Sequence, residues 1–281
     1  MNYSDFKTFK TKVNEGRLDV TFDNPPVNIQ DIPMLDDLDK LAQLLEQDSS
    51  IKVVVFDSAN PEIFVAHADV TFLKDMSTQP IDKDKVQLSK LQNVLNRISK
   101  LPQATIAKIA GYCRGGGNEF AMACDMRFAD KNKAVFMQME VGMGILPCGG
   151  GSSRLAKIVG LGNALEMILS AKDYDAEDAE RIGLVNRCFK HRELDKFVDN
   201  LADRIAKFPA ESITACKTTV HKSLDTSTEK SLYEEEYQLY QATSQTPAIK
   251  RFKQAYDTNF QNDMKNQENF EKLLMTLQDI K

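Results

Sequence analysis

Arg114-Gly115-Gly116-Gly117-Asn118-Glu119 is the run on which the reading of this 281-residue chain turns. Ahead of it, Thr105-Ile106-Ala107-Lys108-Ile109-Ala110 has the short, apolar, β-branched make-up of a buried strand. Behind it, 118–124 reads as a short helix. A strand therefore passes into a helix through residues without a β-carbon, which leaves backbone N–H groups unshielded. The helix start adds the positive end of its dipole. Such a turn suits an anion, either a bound one or an oxyanion formed in a reaction. Tight strand–helix packing alone would also call for glycine. The run is not a P-loop, which needs Gly-Lys-Ser/Thr after a four-residue spacer, nor does it make G-x-G-x-x-G.

Twelve of the thirteen glycines lie between Gly111 and Gly183, and a second triplet, Gly149-Gly150-Gly151, opens a helix over 152–159. The two triplets bracket two carboxylates, Glu119 and Glu140. A pair of glutamates serves as acid and base when burial pushes their pKa values apart. Glu119 at a helix start would equally answer the dipole. Glu140, in a loop without periodicity, would equally suit the surface.

Working outward, 6–13 and 17–22 read as a hairpin around Asn14-Glu15-Gly16, and Asn24-Pro25-Pro26 ends its second strand. Leu35, Leu38, Leu41, Ala42 and Leu45 recur at helical spacing over 32–47, and 51–56 is a buried strand. A turn of helix runs through Phe72, Leu73 and Met76; 77–84 is a mobile surface loop; 86–100 is helical. Short strands follow at 126–129 and 134–137, then a helix at 163–169. Asp175 and Asp178 resemble a capping arrangement for a helix ending at Gly183, and 184–189 is the last strand. Beyond Glu193 the pattern is helical to Ile280, broken at Pro209 and Pro247. The chain thus divides near 195 into a right-handed α/β part and an all-helical tail.

Thirty-six basic and 41 acidic residues give a net charge of −5, with no basic stripe, which argues against a nucleic-acid or membrane-surface binder. Five widely spaced cysteines without a C-x-x-C pair suggest neither a zinc site nor a disulfide framework. Reduced thiols, no secretory leader and no membrane-spanning apolar run point to a cytoplasmic protein.

Several separate stretches, in order, resemble one family. Ile109-Ala110-Gly111-Tyr112-Cys113-Arg114-Gly115-Gly116-Gly117-Asn118-Glu119 is similar to the signature of the crotonase (enoyl-CoA hydratase/isomerase) family. So is Glu140 followed by Gly144-Ile145-Leu146-Pro147-Cys148-Gly149-Gly150-Gly151-Ser152-Ser153-Arg154-Leu155. Phe64-Val65-Ala66-His67-Ala68-Asp69 resembles the family's other oxyanion loop, and 176–185 its next block. Phe208-Pro209-Ala210 with Lys217 resembles the start of its helical tail, so that the likeness covers roughly 8–225.

The resemblance implies an α/β fold, a crotonase-like spiral of β-β-α turns over 1–195. It assigns 196–281 to a C-terminal helical trimerisation region, in a homotrimer or dimer of trimers. It implies an acyl-CoA substrate, no further cofactor and no metal. Carried over, the thioester oxygen is held by the N–H groups of Ala68 and Gly116, and Glu119 and Glu140 are the catalytic carboxylates. Ala66, His67, Asp69, Arg114, Gly115 and Pro147 line the substrate. The expected activity is enoyl-CoA hydration. An isomerase, or a hydrolase or lyase of unusual acyl-CoAs, is the alternative within the family. A non-catalytic acyl-CoA-binding or assembly protein is the alternative outside it.

The chain departs from the family pattern at several points. His67 stands where glycine is usual, and Arg114 where a small or apolar residue is usual. His67 is either a packed or surface residue or one that narrows the acyl pocket or touches the thioester; the Arg114 charge needs a partner or water. Ala255 and Tyr256 occupy the places of a basic pair for CoA phosphates, with Lys250, Arg251 and Lys253 as candidate substitutes. Residues 261–281 extend past the usual end, with Phe270, Leu273, Leu274 and Leu277 as an apolar stripe for an extra packing helix.

Overall fold

The computed structural model describes residues 1–73 and 82–224, isolated positions between 232 and 254, and Leu277. Met76, residues 77–81, Ala255, Tyr256 and the stripe Phe270, Leu273 and Leu274 lie outside the described residues.

Strands β1 (Phe9–Asn14) and β2 (Arg17–Phe22) form the expected hairpin, in register from Phe9 opposite Phe22 to Asn14 opposite Arg17. Glu15 and Gly16 both take positive φ, 37° and 87°, the requirement of a two-residue turn that follows the strand twist. Helix α1 (Ile32–Glu46) starts where the Asp31 carboxylate accepts the Met34 N–H at 2.9 Å. Its face of Leu35, Leu38, Leu41, Ala42 and Leu45 is buried, as the spacing predicts.

The chain then winds as a spiral whose turns each place one strand in each of two sheets. The turns are β3 (Val53–Ser58), β4 (Ile63–Val65) and α2 (Lys90–Ser99), then β5 (Ala104–Ile109), β6 (Tyr112–Arg114) and α3 (Gly116–Ala123). Next come β7 (Met126–Asp130), β8 (Val135–Met137) and α4 (Gly151–Ser170), then β9 (Tyr174–Asp175), α5 (Ala176–Arg181) and β10 (Arg187–Phe189). One sheet runs β1-β2-β3-β5-β7-β10 and the other β4-β6-β8-β9. Every pair is parallel except β1 with β2 and β8 with β9. Helices α6 (His191–Ile205) and α7 (Ala210–Ser223) complete the described fold.

Strand alternation gives the larger sheet two apolar faces. Leu18, Val20, Phe22, Val54 and Phe56 join the main core, while Val53, Val55, Ile106 and Phe128 pack under Leu194, Val198 and Ala202 of α6. The main core is held by rings: Phe120 of α3 meets Phe22 and Phe56 edge-on at centroid distances of 5.3 and 5.0 Å. That anchors α3, whose eight residues are all buried, and so fixes Glu119 beside Phe120.

The differences from the sequence reading have local causes. Helix α2 begins at Lys90 rather than 86, because Ser89 and Gln92 form a capping box. The expected helices 152–159 and 163–169 are one run, α4, broken at Gly160 (φ 78°, ψ 163°). The last strand shortens to Arg187–Phe189 because the Leu184 and Val185 N–H groups close the end of α5 on the Ala179 carbonyl. Residues Lys83–Lys85 form a 3-10 turn, and β6 is a strand the sequence reading did not separate from the glycine turn.

Candidate functional site

The end of β6, the start of α3, the β4 exit loop and the turn before α4 converge on one spot. The local geometry is dictated by close approach. A β-carbon on Gly117 would lie 2.1 Å from the Val65 carbonyl oxygen, so no larger residue lets α3 sit this near β4. One on Gly116 would lie 2.8 Å from the Ala68 nitrogen. The two residues expected to present N–H groups are therefore neighbours in space, although 48 positions apart in sequence (116 − 68).

Both amides are turned outward. Gln30 and Ala68 form a parallel bridge in which Gln30 N–H donates to the His67 carbonyl at 2.9 Å and Asp69 N–H to the Gln30 carbonyl at 3.0 Å. That pattern uses the groups flanking Ala68 and points Ala68's own N–H to the opposite side. Gly116 is the first residue of α3, where N–H groups have no acceptor within the helix. The Gly116 N–H at the helix start, with the Ala68 nitrogen close by, suits an oxygen that carries negative charge.

Glu119 is 2 % exposed, and its Oε1 accepts the Gly151 N–H at 2.8 Å. The second glycine triplet thus wraps its carboxylate. A β-carbon on Gly149 would sit 2.4 Å from Oε2, and one on Gly151 would sit 2.7 Å from Oε1. Burial pushes the Glu119 pKa up to about 7; the Gly151 and Gly149 N–H groups and Arg154 oppose that, and Glu140 adds to it. Glu140 opens a 3-10 turn (Glu140–Met143), not the irregular loop its sequence suggests. Its pKa is also raised, mainly by burial, with its own backbone N–H, that of Met139 and His67 pulling the other way.

A side-chain relay runs from α3 to Glu140. Asn118 Nδ2 donates to Gln138 Oε1 at 2.8 Å, and Gln138 Nε2 reaches Glu140 Oε2 at 3.3 Å. The β-carbon point on Gly151 is 2.7 Å from Gln138 Nε2 as well as from Glu119 Oε1, which sets Gln138 between the acids. The sequence reading passed over Asn118 and Gln138. A polar residue inside a wholly buried helix, and another after a buried strand, were the available signals.

The other expected residues fall around this spot in different ways. The His67 β-carbon is 3.5 Å from the β-carbon point of Gly115, and its Nδ1 lies 2.8 Å from the Ala68 carbonyl oxygen. Ala66 N–H donates to the Val27 carbonyl, and Asp69 accepts the Thr71 N–H to close the next turn. Pro147 is buried against Gly151, and its carbonyl accepts the Ser152 hydroxyl at 2.8 Å. Arg114 has the partner its charge requires. Its Nε and one terminal nitrogen grip Asp173 at 2.8 and 2.6 Å, and it stacks 4.0 Å over Tyr112. Arg251 donates to the Lys207 carbonyl at the corner before α7.

Beside Pro147, Cys148 and Gly149 opens a cleft of about 970 Å³, with Leu88, Leu146 and Ile158 in its wall. No helix among the described residues is long and apolar enough to cross a membrane.

A β-β-α spiral whose glycine turn lies beside two carboxylates with raised pKa values is the architecture of a crotonase-type protein. Comparison with known proteins agrees: the Enoyl-CoA hydratase/isomerase profile matches residues 12–280. The chain is 34% identical over 212 residues to the short-chain-enoyl-CoA hydratase of Clostridium acetobutylicum, covering 75% of this chain and 80% of that one. It is 30% identical over 221 residues to the crotonyl-CoA hydratase of Syntrophomonas wolfei, covering 78% and 83%. The crystal structure of an enoyl-CoA hydratase from Bacillus anthracis shares the fold, with a TM-score of 0.81 at 22% identity over 90% of this chain and 97% of that one. The chain belongs to the enoyl-CoA hydratase/isomerase family, an enzyme family.

Proposed function

We propose that this protein hydrates 2-enoyl thioesters of coenzyme A, with Glu119 and Glu140 as the proton-transfer pair and the Ala68 and Gly116 N–H groups as an oxyanion hole. The observation that carries the reading is the convergence of two carboxylates, buried Glu119 and half-buried Glu140, both with raised pKa values, on the turn that also holds those amides. An isomerase needs one such acid; a pair suits addition of water.

Addition of water to C3 of the enoyl chain drives electrons onto the thioester oxygen. Two preorganised donors stabilise that charge, each by about 3 kcal/mol. Glu119 accepts the water proton as the C–O bond forms, and Glu140 delivers a proton to C2 as the enolate collapses. The pair therefore ends the turnover with the single proton it began with. Burial raises the pKa of both acids, which favours holding that proton on the pair. The cleft beside Pro147 has room and apolar wall for an acyl chain. His67, Asp69, Gly115 and Ala66 line the thioester end. A cytoplasmic setting, and trimer or hexamer assembly through 196–281, belong to the same proposal.

Purified protein given crotonyl-CoA and longer enoyl-CoAs should remove the conjugated-thioester absorbance, the product gaining the mass of one water. Glu140→Gln should abolish that loss. Release of free CoA, or a double bond moved without added mass, would instead identify a hydrolase or an isomerase.

A further inference from the structure

Gln30 is wholly buried, and neither its Oε1 nor its Nε2 has a hydrogen-bond partner among the described residues. An amide taken out of water with nothing to bond is destabilising, so its place needs a reason. Its backbone N–H and carbonyl both bond to the segment that carries Ala68, through His67 and Asp69. Bridge partners project their side chains to the same side. Accordingly, the β-carbon point of Gly116 is 2.6 Å from Gln30 Oε1, 2.8 Å from the Ala68 nitrogen and 2.8 Å from the Ala68 β-carbon. The orphan amide thus sits against both residues that present the outward N–H groups.

We propose that Gln30 is a third hydrogen-bond donor to the thioester oxygen, its side-chain N–H joining the backbone N–H groups of Ala68 and Gly116. The inference rests on the hydratase reading above. A half-turn about the last side-chain torsion exchanges the amide oxygen and nitrogen without changing its shape, and no partner holds either atom in place. An acyl oxygen that gains charge supplies the missing acceptor, and it selects the orientation with Nε2 inward. The amide then gains its partner most fully in the transition state, which is how a donor raises kcat rather than binding.

The test compares wild type with Gln30→Leu and Gln30→Met, which keep the bulk and remove both polar atoms. The expected result is a fall in kcat of about 100-fold with KM changed little, the lower end for a lost oxyanion donor. Thermal stability should stay level or rise, since an unpartnered buried amide has been removed. An aryl-conjugated enoyl-CoA bound to the variants should show a smaller red shift than on wild type, because its carbonyl is less polarised. Variants with unchanged kcat and an unchanged shift, from an active wild type, overturn the role of Gln30 alone. A wild type that neither binds nor turns over any enoyl-CoA overturns the hydratase reading, and this inference with it.

Discussion

The Gly151 nitrogen donates to Glu119 Oε1 at 2.8 Å, tying the start of α4 to the middle of α3. The donor lies at a helix N-terminus and so favours the ionised carboxylate, while burial and Glu140 disfavour it. Burial wins, and the Glu119 pKa rises to about 7. Glu119 therefore enters neutral solution near its own midpoint, between protonated and ionised.

That midpoint sets the pH dependence of hydration. With two protons on the pair no base is available, and with none there is no acid for C2. The value of kcat/KM should be highest when the pair holds one proton, falling in acid and falling again as pH rises above about 7. A pH series on the free enzyme with crotonyl-CoA checks this. Activity still climbing at pH 9 would remove the shared-proton mechanism.

The same shift makes stability depend on pH, with a definite sign. Glu119 is raised from an ordinary 4.5 to about 7, so the folded protein holds this proton more tightly than the unfolded chain does. Its contribution is full below about pH 4.5 and is lost as pH rises through 7, an effect on the order of 3 kcal/mol. Glu119→Gln keeps an oxygen acceptor for the Gly151 N–H and removes the titration. The variant should match wild type near pH 5 and be the more stable at pH 8 in urea unfolding. Identical slopes of stability against pH would show that Glu119 does not titrate in this range.

The spiral could be read in the sequence because its turns are marked by residues with one physical use. Glycine at 116 and 117 permits contact with Ala68 and Val65, and the period-two strands carry apolar residues on both faces. The convergence of Glu119, Glu140, Ala68 and Gly116 was legible only through resemblance, since no local pattern relates positions so far apart. Gln138 left only the faint mark of a polar residue after a strand, and Gln30 left less. Each is a polar residue next to apolar ones, and its significance depends on what lies opposite in space. Arg114 was legible as an unpaired charge, but Asp173, 59 positions on, had no signal pointing back to it.

Two glycines of neighbouring turns should respond oppositely to alanine. On Gly149 a β-carbon would meet Glu119 Oε2 at 2.4 Å and Leu91 at 3.1 Å, so the carboxylate must move. Gly149→Ala should cut kcat at least about 100-fold, as expected when a reacting group is misplaced by about 1 Å. Gly162 lies in the second half of α4 with nothing within 4 Å of its β-carbon point. Gly162→Ala should raise stability by about 0.5–1 kcal/mol through helix propensity and leave kcat unchanged. Steady-state kinetics and thermal melts of the two proteins give both answers.

Arg114 separates a clamp from a substrate contact. Its guanidinium is engaged twice by Asp173 and lies over Tyr112, which ties β6 to the loop before β9. Both partners are partly exposed, so the pair stabilises by only about 0.5–1 kcal/mol despite its two-pronged geometry. Arg114→Ala and Asp173→Ala should each lose that amount, and the double variant should lose little more, the signature of coupled partners. If the clamp is the whole role, KM for enoyl-CoA stays within about twofold in all three, since the guanidinium is already held. A tenfold rise in KM confined to the Arg114 variants would instead make it a substrate contact, released from Asp173 when acyl-CoA binds.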